Sequence, residues 1–465
     1  MDFRTEKDSI GSKNIDNSTY YGINTLRALE NFNINSQKTN INLIKNIVLI
    51  KKACAIVNKN LNKIEENKAN AIIEACENIL DGNYLNEFNI SSLQGGAGTS
   101  TNMNVNEVVA NIALELLDRK KGDYEFLHPL NHVNLSQSTN DVYPTALKIT
   151  CINYIRLLSS HLADLQEELQ KKENEYANIL KLGRTQLMDA VPMMVGQSFG
   201  AYAKAISRDR WRIYKVEERL RQINMGATAI GTGLNAENKY IYMITDELQK
   251  LSGLGLSRSD FLIDNTQNLD VFVEASGLLK ACATNLLKIS NDLRLLNSGP
   301  KGGFNEIILD SVQAGSSIMP GKVNPVICEM IGQISIKVIS NDLSITTASS
   351  MGQLELNAFT PLIANSILES LEILIDGVKI FEEKCIKTLK VNKEKCLSNL
   401  ENSTAYVTAL VTHIGYDKAS YIAKKSLEEN KTIKEIVLEE NILDKESLDN
   451  ILNPLQITKP GIPGK

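Results

Sequence analysis

Apolar residues recur every three or four positions over most of this chain. Across 145–180, Leu147, Cys151, Tyr154, Leu158, His161 and Leu165 mark one face of a long amphipathic helix. The stretch 270–296 repeats the pattern through Val271, Ala275, Leu278, Cys282, Leu286, Ile289, Leu293 and Leu296, and Gly299 and Pro300 end it. Further helices are expected over 43–61, 69–80, 195–223, 326–346 and 361–386, with Pro144 placed to open the one that follows it. Helices this long, with small and apolar residues around much of their circumference, belong inside a bundle. Strand-like alternation is scarce: only 239–244 and short stretches near the N-terminus are ambiguous. The expected fold class is all-α. Beyond position 391 the chain turns richer in Lys, Glu and Asn, with short helical patterns and a TKPGIPGK tail, which reads as a small terminal domain.

Composition narrows the partners. The 465 residues are 43% apolar and 23% charged with a formal net charge of -5, so nothing favours nucleic acid. The opening MDFRTEKDSIGSK has acidic residues and no apolar core, and no run of apolar residues is long enough to span a bilayer. A cytoplasmic protein without a membrane segment is expected. Seven scattered cysteines with no CxxC pair read as reduced, buried thiols. There is no GxxxxGK[ST] loop, no GxGxxG after a predicted strand and no HExxH, so neither cofactor nor metal is expected.

The candidate chemistry lies in four polar islands rich in hydroxyls, amides and glycines: GGAGTSTNMN at 95–104, SQSTND at 136–141, GRTQLMDA at 183–190 and GSSIMPGKVNP at 315–325. Any one alone would be read as turn and helix-cap residues. Together and in this order they resemble the islands of the aspartase and fumarase superfamily, whose signature is GSSxxPxKxN. Neighbouring segments agree: YYGINTLRALENF at 20–32, MGATAIGTGLNA at 225–236, NDLRLLNSGPKGGFNEI at 291–307 and ASYIAKKSLEENKTIKEIVLE at 419–439. The resemblance covers nearly the whole chain.

The resemblance implies a three-domain all-α fold, here 1–140, 141–392 and 393–465, whose central helices complete a twenty-helix core in a homotetramer. Each active site would draw on three subunits. The implied reaction is a β-elimination that releases fumarate, in which Ser316 takes the Cβ proton as an alkoxide. Thr99, Ser138, Thr139 and Ser317 would hold the β-carboxylate that becomes a dianionic aci-carboxylate. Thr185, Lys322 and Asn324 would hold the α-carboxylate, and Asn140 would contact the departing amino group. Such a reaction needs many donors aimed at developing negative charge, and a serine becomes basic enough only if backbone N–H groups, as in a Gly315-Ser316-Ser317 nest, or Lys322 stabilise its alkoxide. Gly315 and Gly321 are expected to let the loop close over substrate.

The leaving group is read from the quieter islands. Fumarases of this superfamily carry GRTH, its histidine associated with a glutamate and a water; here the positions are Gln186 and Glu329. Glutamine cannot relay a proton at neutral pH, so water activation is disfavoured and ammonia release from L-aspartate is the expected reaction. GTSTNMN and SQSTND, in place of GTQSNMN and SQSSND, point the same way. Hydration of the fumarase kind is the alternative, and a non-catalytic scaffold, as among lens proteins related to these lyases, is the reading from another class. The proton donor to the amine stays open among Glu329, a water held by Gln186 and His132. Asp310 stands where such proteins often have proline.

Overall fold

The computed structural model describes residues 2–465. Strands β1 (Phe3–Lys7) and β2 (Ser12–Asp16) form an antiparallel hairpin, which settles the ambiguous N-terminal stretches. Helices α1 (Ile23–Asn31), α2 (Ile41–Asn60), α3 (Glu66–Leu80) and α4 (Thr99–Leu116) lead to α5 (Thr139–Glu175). After the hairpin β3 (Leu180–Thr185) and β4 (Met188–Met194) come α6 (Val195–Leu220), α7 (Asn238–Ser252), the short α8 (Leu262–Gln267) and α9 (Asp270–Leu296). Then follow α10 (Val326–Ser350) and α11 (Thr360–Phe381). The chain closes with α12 (Lys393–Glu401), α13 (Val407–Ile414), α14 (Tyr416–Glu429), α15 (Ile433–Glu439), α16 (Lys445–Ile451) and α17 (Pro454–Ile457). Every strand among the described residues belongs to a two-stranded pair, so the all-α class holds.

The chain divides into two compact units. The first comprises 2–159, Trp211–Ala283 and Ile336–Ile375; the second comprises Ser160–Arg210, Thr284–Ser335 and Asp376–Lys465.

In the first unit α2 packs against α3 and α7, and α4 against α1 and α3. The stripe Ile44, Ile47, Val48, Cys54 and Val57 of α2 is buried, as its spacing predicts. The N-terminus of α1 has no capping side chain of its own; Gly22 precedes it. The fully buried carboxylate of Glu107 on α4 takes that role, accepting the N–H groups of Gly22 (2.9 Å), Asn24 (2.8 Å) and Thr25 (3.1 Å). A Cβ on Gly22 would lie 2.7 Å from Glu6 and 2.8 Å from Glu107, so the cap needs glycine there.

The sequence places the start of the long helix at Pro144, and the structure corrects this. α5 begins five residues earlier and carries Pro144 inside it. Proline lacks the N–H that would bond the carbonyl of Asn140, and that carbonyl instead accepts Asn224 Nδ2 at 3.0 Å. With the orphaned acceptor satisfied, the helix starts at Thr139. The same helix ends at Glu175 rather than 180, because Leu180–Thr185 pairs with Met188–Met194 as a hairpin that alternation did not reveal. The ambiguous 239–244 lies in α7.

In the second unit α12 packs on β3. Leu182 of that strand joins a core with Leu400, Tyr406, Ile422, Ile433, Ile436 and Leu448. A reciprocal Thr432–Glu435 capping box fixes the start of α15. All seven cysteines are buried.

Candidate active site

The first unit holds Thr99, Ser138, Thr139 and Asn140 at the N-termini of two helices. Thr99 is the first residue of α4 and Thr139 the first of α5. Helix N-termini present unpaired N–H groups and a positive dipole end, which suit a carboxylate. The two starts are locked together. Gly98 (φ 93°) lies against Tyr143, whose ring would be 2.4 Å from any Cβ there, and Asn102 Nδ2 donates to Thr139 Oγ1 at 3.1 Å.

The turn into α5 is fully satisfied. Ser138 Oγ accepts the N–H of Asn140 at 3.2 Å, and the buried Asp141 accepts N–H groups from Ser138 (3.0 Å), Gly226 (3.2 Å) and Thr228 (3.1 Å). Burial pushes the Asp141 carboxyl up to about 7, against the pull of those donors. The bond from Asp141 to Gly226 and Thr228 explains why MGATAIGTGLNA accompanies SQSTND. Asn140 Nδ2 donates to the Ala229 carbonyl at 2.7 Å. A carbonyl can only accept, so the amide orientation is fixed and Oδ1 is the atom left to accept from an ammonium.

The second unit holds Thr185, Gln186, Ser316, Ser317, Lys322, Asn324 and Glu329. Ser316 Oγ accepts two backbone N–H groups, from Ile318 at 3.2 Å and Met319 at 2.9 Å. Two such donors favour the alkoxide over the alcohol. The expected donors, the N–H groups of the Gly315-Ser316-Ser317 turn, are not those on Ser316 Oγ; Ile318 and Met319 take that place, and Gly315 N–H goes to the Lys322 carbonyl. No bond joins Lys322 to Ser316; Lys322 closes the loop through its backbone, its carbonyl accepting Gly315 N–H at 2.9 Å. Asn324 Nδ2 donates to the Gly315 carbonyl at 2.7 Å. A Cβ on Gly315 would lie 2.3 Å from the Lys322 carbonyl oxygen, so this glycine serves close approach; Gly321, at φ 79° with open space around it, serves backbone conformation.

A cleft of about 1020 Å³ lies beside this loop, lined by Arg294, Asp310, Lys322, Asn324 and Glu329 among others. Arg294 and Glu329 approach to 3.9 Å. Ser316, Ser317, Thr185 and Gln186 are not in its lining. Thr185 ends β3 and Gln186 (φ 54°) and Leu187 (φ 63°) make the exposed hairpin turn. Next to that turn the hairpin is held by a buried ion pair, Arg184 to Glu306 at 2.8 Å, with Asn399 Nδ2 also on Glu306 at 3.0 Å. His132 Nδ1 accepts the His128 N–H at 2.8 Å, a structural bond within the turn before α5.

Sequence reasoning passed over Lys51, Asn102, Asn134 and Gln137, which lie behind Thr139. The available signal was a lysine in the apolar stripe of α2 and a run of asparagines in α4.

A helical fold, a GSSxxPxKxN loop with a doubly N–H-bonded serine, and paired helix N-termini for an anion define a class. The chain belongs to the lyase family: the model described as Lyase matches 11–340, and one described as Fumarase C C-terminus matches 407–459. Within it, the chain is 44% identical over 464 residues to a protein of Bacillus subtilis named aspartate ammonia-lyase, covering 100% of this chain and 98% of that one. A protein of that name from Helicobacter pylori is 45% identical over 459 residues, 98% of each. Among solved structures, a fumarate lyase:delta crystallin from Brucella melitensis bound to cobalt superposes with TM-score 0.95 at 43% identity, over 99% of this chain and 100% of that one. A recombinant class II fumarase from Schistosoma mansoni also gives TM-score 0.95, at 34% identity over the same shares. The all-α fumarase and aspartase fold is thus the fold of this chain.

Proposed function

We infer that this chain is an aspartate ammonia-lyase, which reversibly converts L-aspartate to fumarate and ammonia. The full-length likeness to relatives of that name supports the reaction, and Gln186 in place of a histidine speaks against hydration. The observation that carries the mechanism is the pair of N–H groups on Ser316 Oγ. Ser316 takes the Cβ proton, and the electrons of that C–H bond pass into the β-carboxylate as an aci-carboxylate. Thr99, Ser138, Thr139 and Ser317 receive the added charge. Lys322, Asn324 and Thr185 hold the α-carboxylate, Lys322 as a point charge and Asn324 as a directional donor. The C–N bond then breaks with its electron pair leaving on nitrogen, beside Asn140 Oδ1, and fumarate forms. Glu329 and Lys322 both line the cleft. The reaction needs no cofactor.

The rest of the reading concerns assembly. Leu187 and Met188 are 68% and 71% exposed at the hairpin tip, and Ile336 and Leu343, seven residues apart on α10, are 60% and 68% exposed. Apolar faces of this kind are covered by other chains. A homotetramer whose sites draw on three subunits accounts for them, with 1–140, 141–392 and 393–465 as its three domains. No helix among the described residues is long and apolar enough to cross a membrane, and cysteines that are all buried suit the reducing cytoplasm. The test follows fumarate absorbance with L-aspartate and, separately, with L-malate, on protein whose mass is measured by light scattering. Turnover of aspartate by a tetramer is expected; turnover of malate alone would overturn the reading.

A further inference from the structure

A lysine lies buried behind the helix starts just described. Lys51, on α2, is 0% exposed, and its ammonium donates to Asn134 Oδ1 and Gln137 Oε1, each at 2.8 Å. Asn134 Oδ1 also accepts Asn102 Nδ2 and Asn106 Nδ2, each at 3.2 Å. Asn102 Nδ2 is shared with Thr139 Oγ1. A run of bonds therefore leads from a buried cation to the first hydroxyl of α5.

Its direction is set by chemistry. An ammonium has donors and no acceptor, so Asn134 and Gln137 must turn their oxygens to it. Their Nδ2 and Nε2 then donate outward, Asn134 to the Gln137 carbonyl at 3.2 Å and Gln137 to the Val133 carbonyl at 2.9 Å. With the Asn134 oxygen facing it, Asn102 presents its NH2 to both Asn134 and Thr139. That orientation is costly: Asn102 Oδ1 is buried with no partner, as is Asn106 Oδ1. An Asn102 turned the other way could accept the Thr139 hydroxyl proton, but would set its oxygen against that of Asn134, which Lys51 holds in place. Because Thr139 Oγ1 instead accepts from Asn102, its own O–H proton is left to donate to an anion at the helix start. The buried Asp141 acts on this cation electrostatically, and its oxygens are occupied by the backbone of Ser138, Gly226 and Thr228.

We propose that Lys51 is a positioning residue for the aci-carboxylate pocket: as a donor-only group it polarises the relay through Asn134 and Asn102 so that Thr139 donates to the substrate's developing charge. This rests on the reading of Thr139 as a β-carboxylate ligand.

The test compares two inhibitors on the intact assembled enzyme. Succinate carries an ordinary carboxylate at the β position, whereas the nitronate of β-nitropropionate carries a planar group whose two oxygens both bear negative charge, as they do in the aci-carboxylate. Lys51→Met should weaken the nitronate by roughly tenfold more than succinate, below the loss of about 10² to 10³ that follows removal of a direct donor. It should lower kcat more than it raises KM. Thr139→Val should show the same selectivity, more strongly. Equal weakening of both inhibitors by Lys51→Met, or none, with Thr139→Val still selective, overturns the role of Lys51 and leaves the pocket standing. If Thr139→Val is unselective as well, the β-carboxylate reading itself falls and takes the proposal with it. Should Lys51→Met fail to assemble, Asn134→Leu interrupts the relay with the lysine in place and is judged by the same two outcomes.

Discussion

The two groups of candidate residues are built in opposite ways. Around Thr99 and Ser138–Asn140 the polar groups are tied to helix starts, glycine packing and a buried hydrogen-bond network. Around Ser316 the chain from 311 to 314 and from 317 to 323 is exposed, held by a few backbone bonds and the amide of Asn324. Donors that must meet developing charge gain most from being fixed beforehand, since they then cost no reorganisation during reaction. A base that must reach the carbon and release product gains from a segment with few buried contacts, which is cheap to displace. On the proposed mechanism, rigid charge stabilisation is separated from movable proton transfer.

Substitutions that act differently in the two regions probe this contrast. Ser316→Ala should lower kcat by about 10² to 10⁴-fold, the range for a lost general base, with the assembly intact; a variant keeping most of its rate in the fumarate assay would remove Ser316 from that role. Gly98→Ala and Gly315→Ala make the same change in each region. At Gly98 the added methyl meets the Tyr143 ring in a packed core at positive φ, so a stability loss of about 1–3 kcal/mol is expected by urea unfolding. At Gly315 it meets the Lys322 carbonyl in an exposed loop, so kcat should fall while the unfolding midpoint stays near wild type. Loss of midpoint at both sites would abolish the distinction.

Titration sharpens the rigid side. Asp141 is raised from 3.8 to about 7 by burial, so the folded state disfavours its charge. Its contribution to stability is greatest below pH 3.8 and is lost as pH rises to about 7. Lys51 is lowered from 10.5 to about 8, again by burial, so its contribution grows as pH rises from about 8 to 10.5. Both costs are fully present between about 7 and 8. Urea midpoints of Asp141→Asn relative to wild type should therefore improve from about pH 4 to 7, and a flat difference would count against the burial of that charge. The smallest effect is expected of Gly321→Ala, about 1 kcal/mol or less for an open site at positive φ, visible as a modest change in kcat.

Much of this was legible in the sequence, for identifiable reasons. Helical periodicity located the long helices because each buries a stripe, and the four islands stood out because hydroxyls and amides interrupt those stripes. The hairpin carrying Thr185 and Gln186 was hidden: two residues at positive φ without glycine form its turn, and β3 is stabilised by Leu182 packing into a core made by residues more than 200 positions later. The true start of α5 was hidden because only Asn224 rescues the carbonyl that Pro144 leaves unpaired. Lys51 was visible as a charge in an apolar stripe, but its meaning depends on Asn134 and Gln137, brought to it by the turn before α5.

The sequence alone determined the reaction class, through the resemblance of its four islands, and picked out Ser316 and the hydroxyl and amide groups as candidates, because each island is local in the chain. Tertiary structure alone decided which atoms donate to which: that Ile318 and Met319 donate to Ser316, that Asp141 holds the α5 turn, and that bonds through Asn134 and Asn102 run from a buried lysine to Thr139. Hydrogen-bond direction depends on partners distant in the chain, and only folding chooses them.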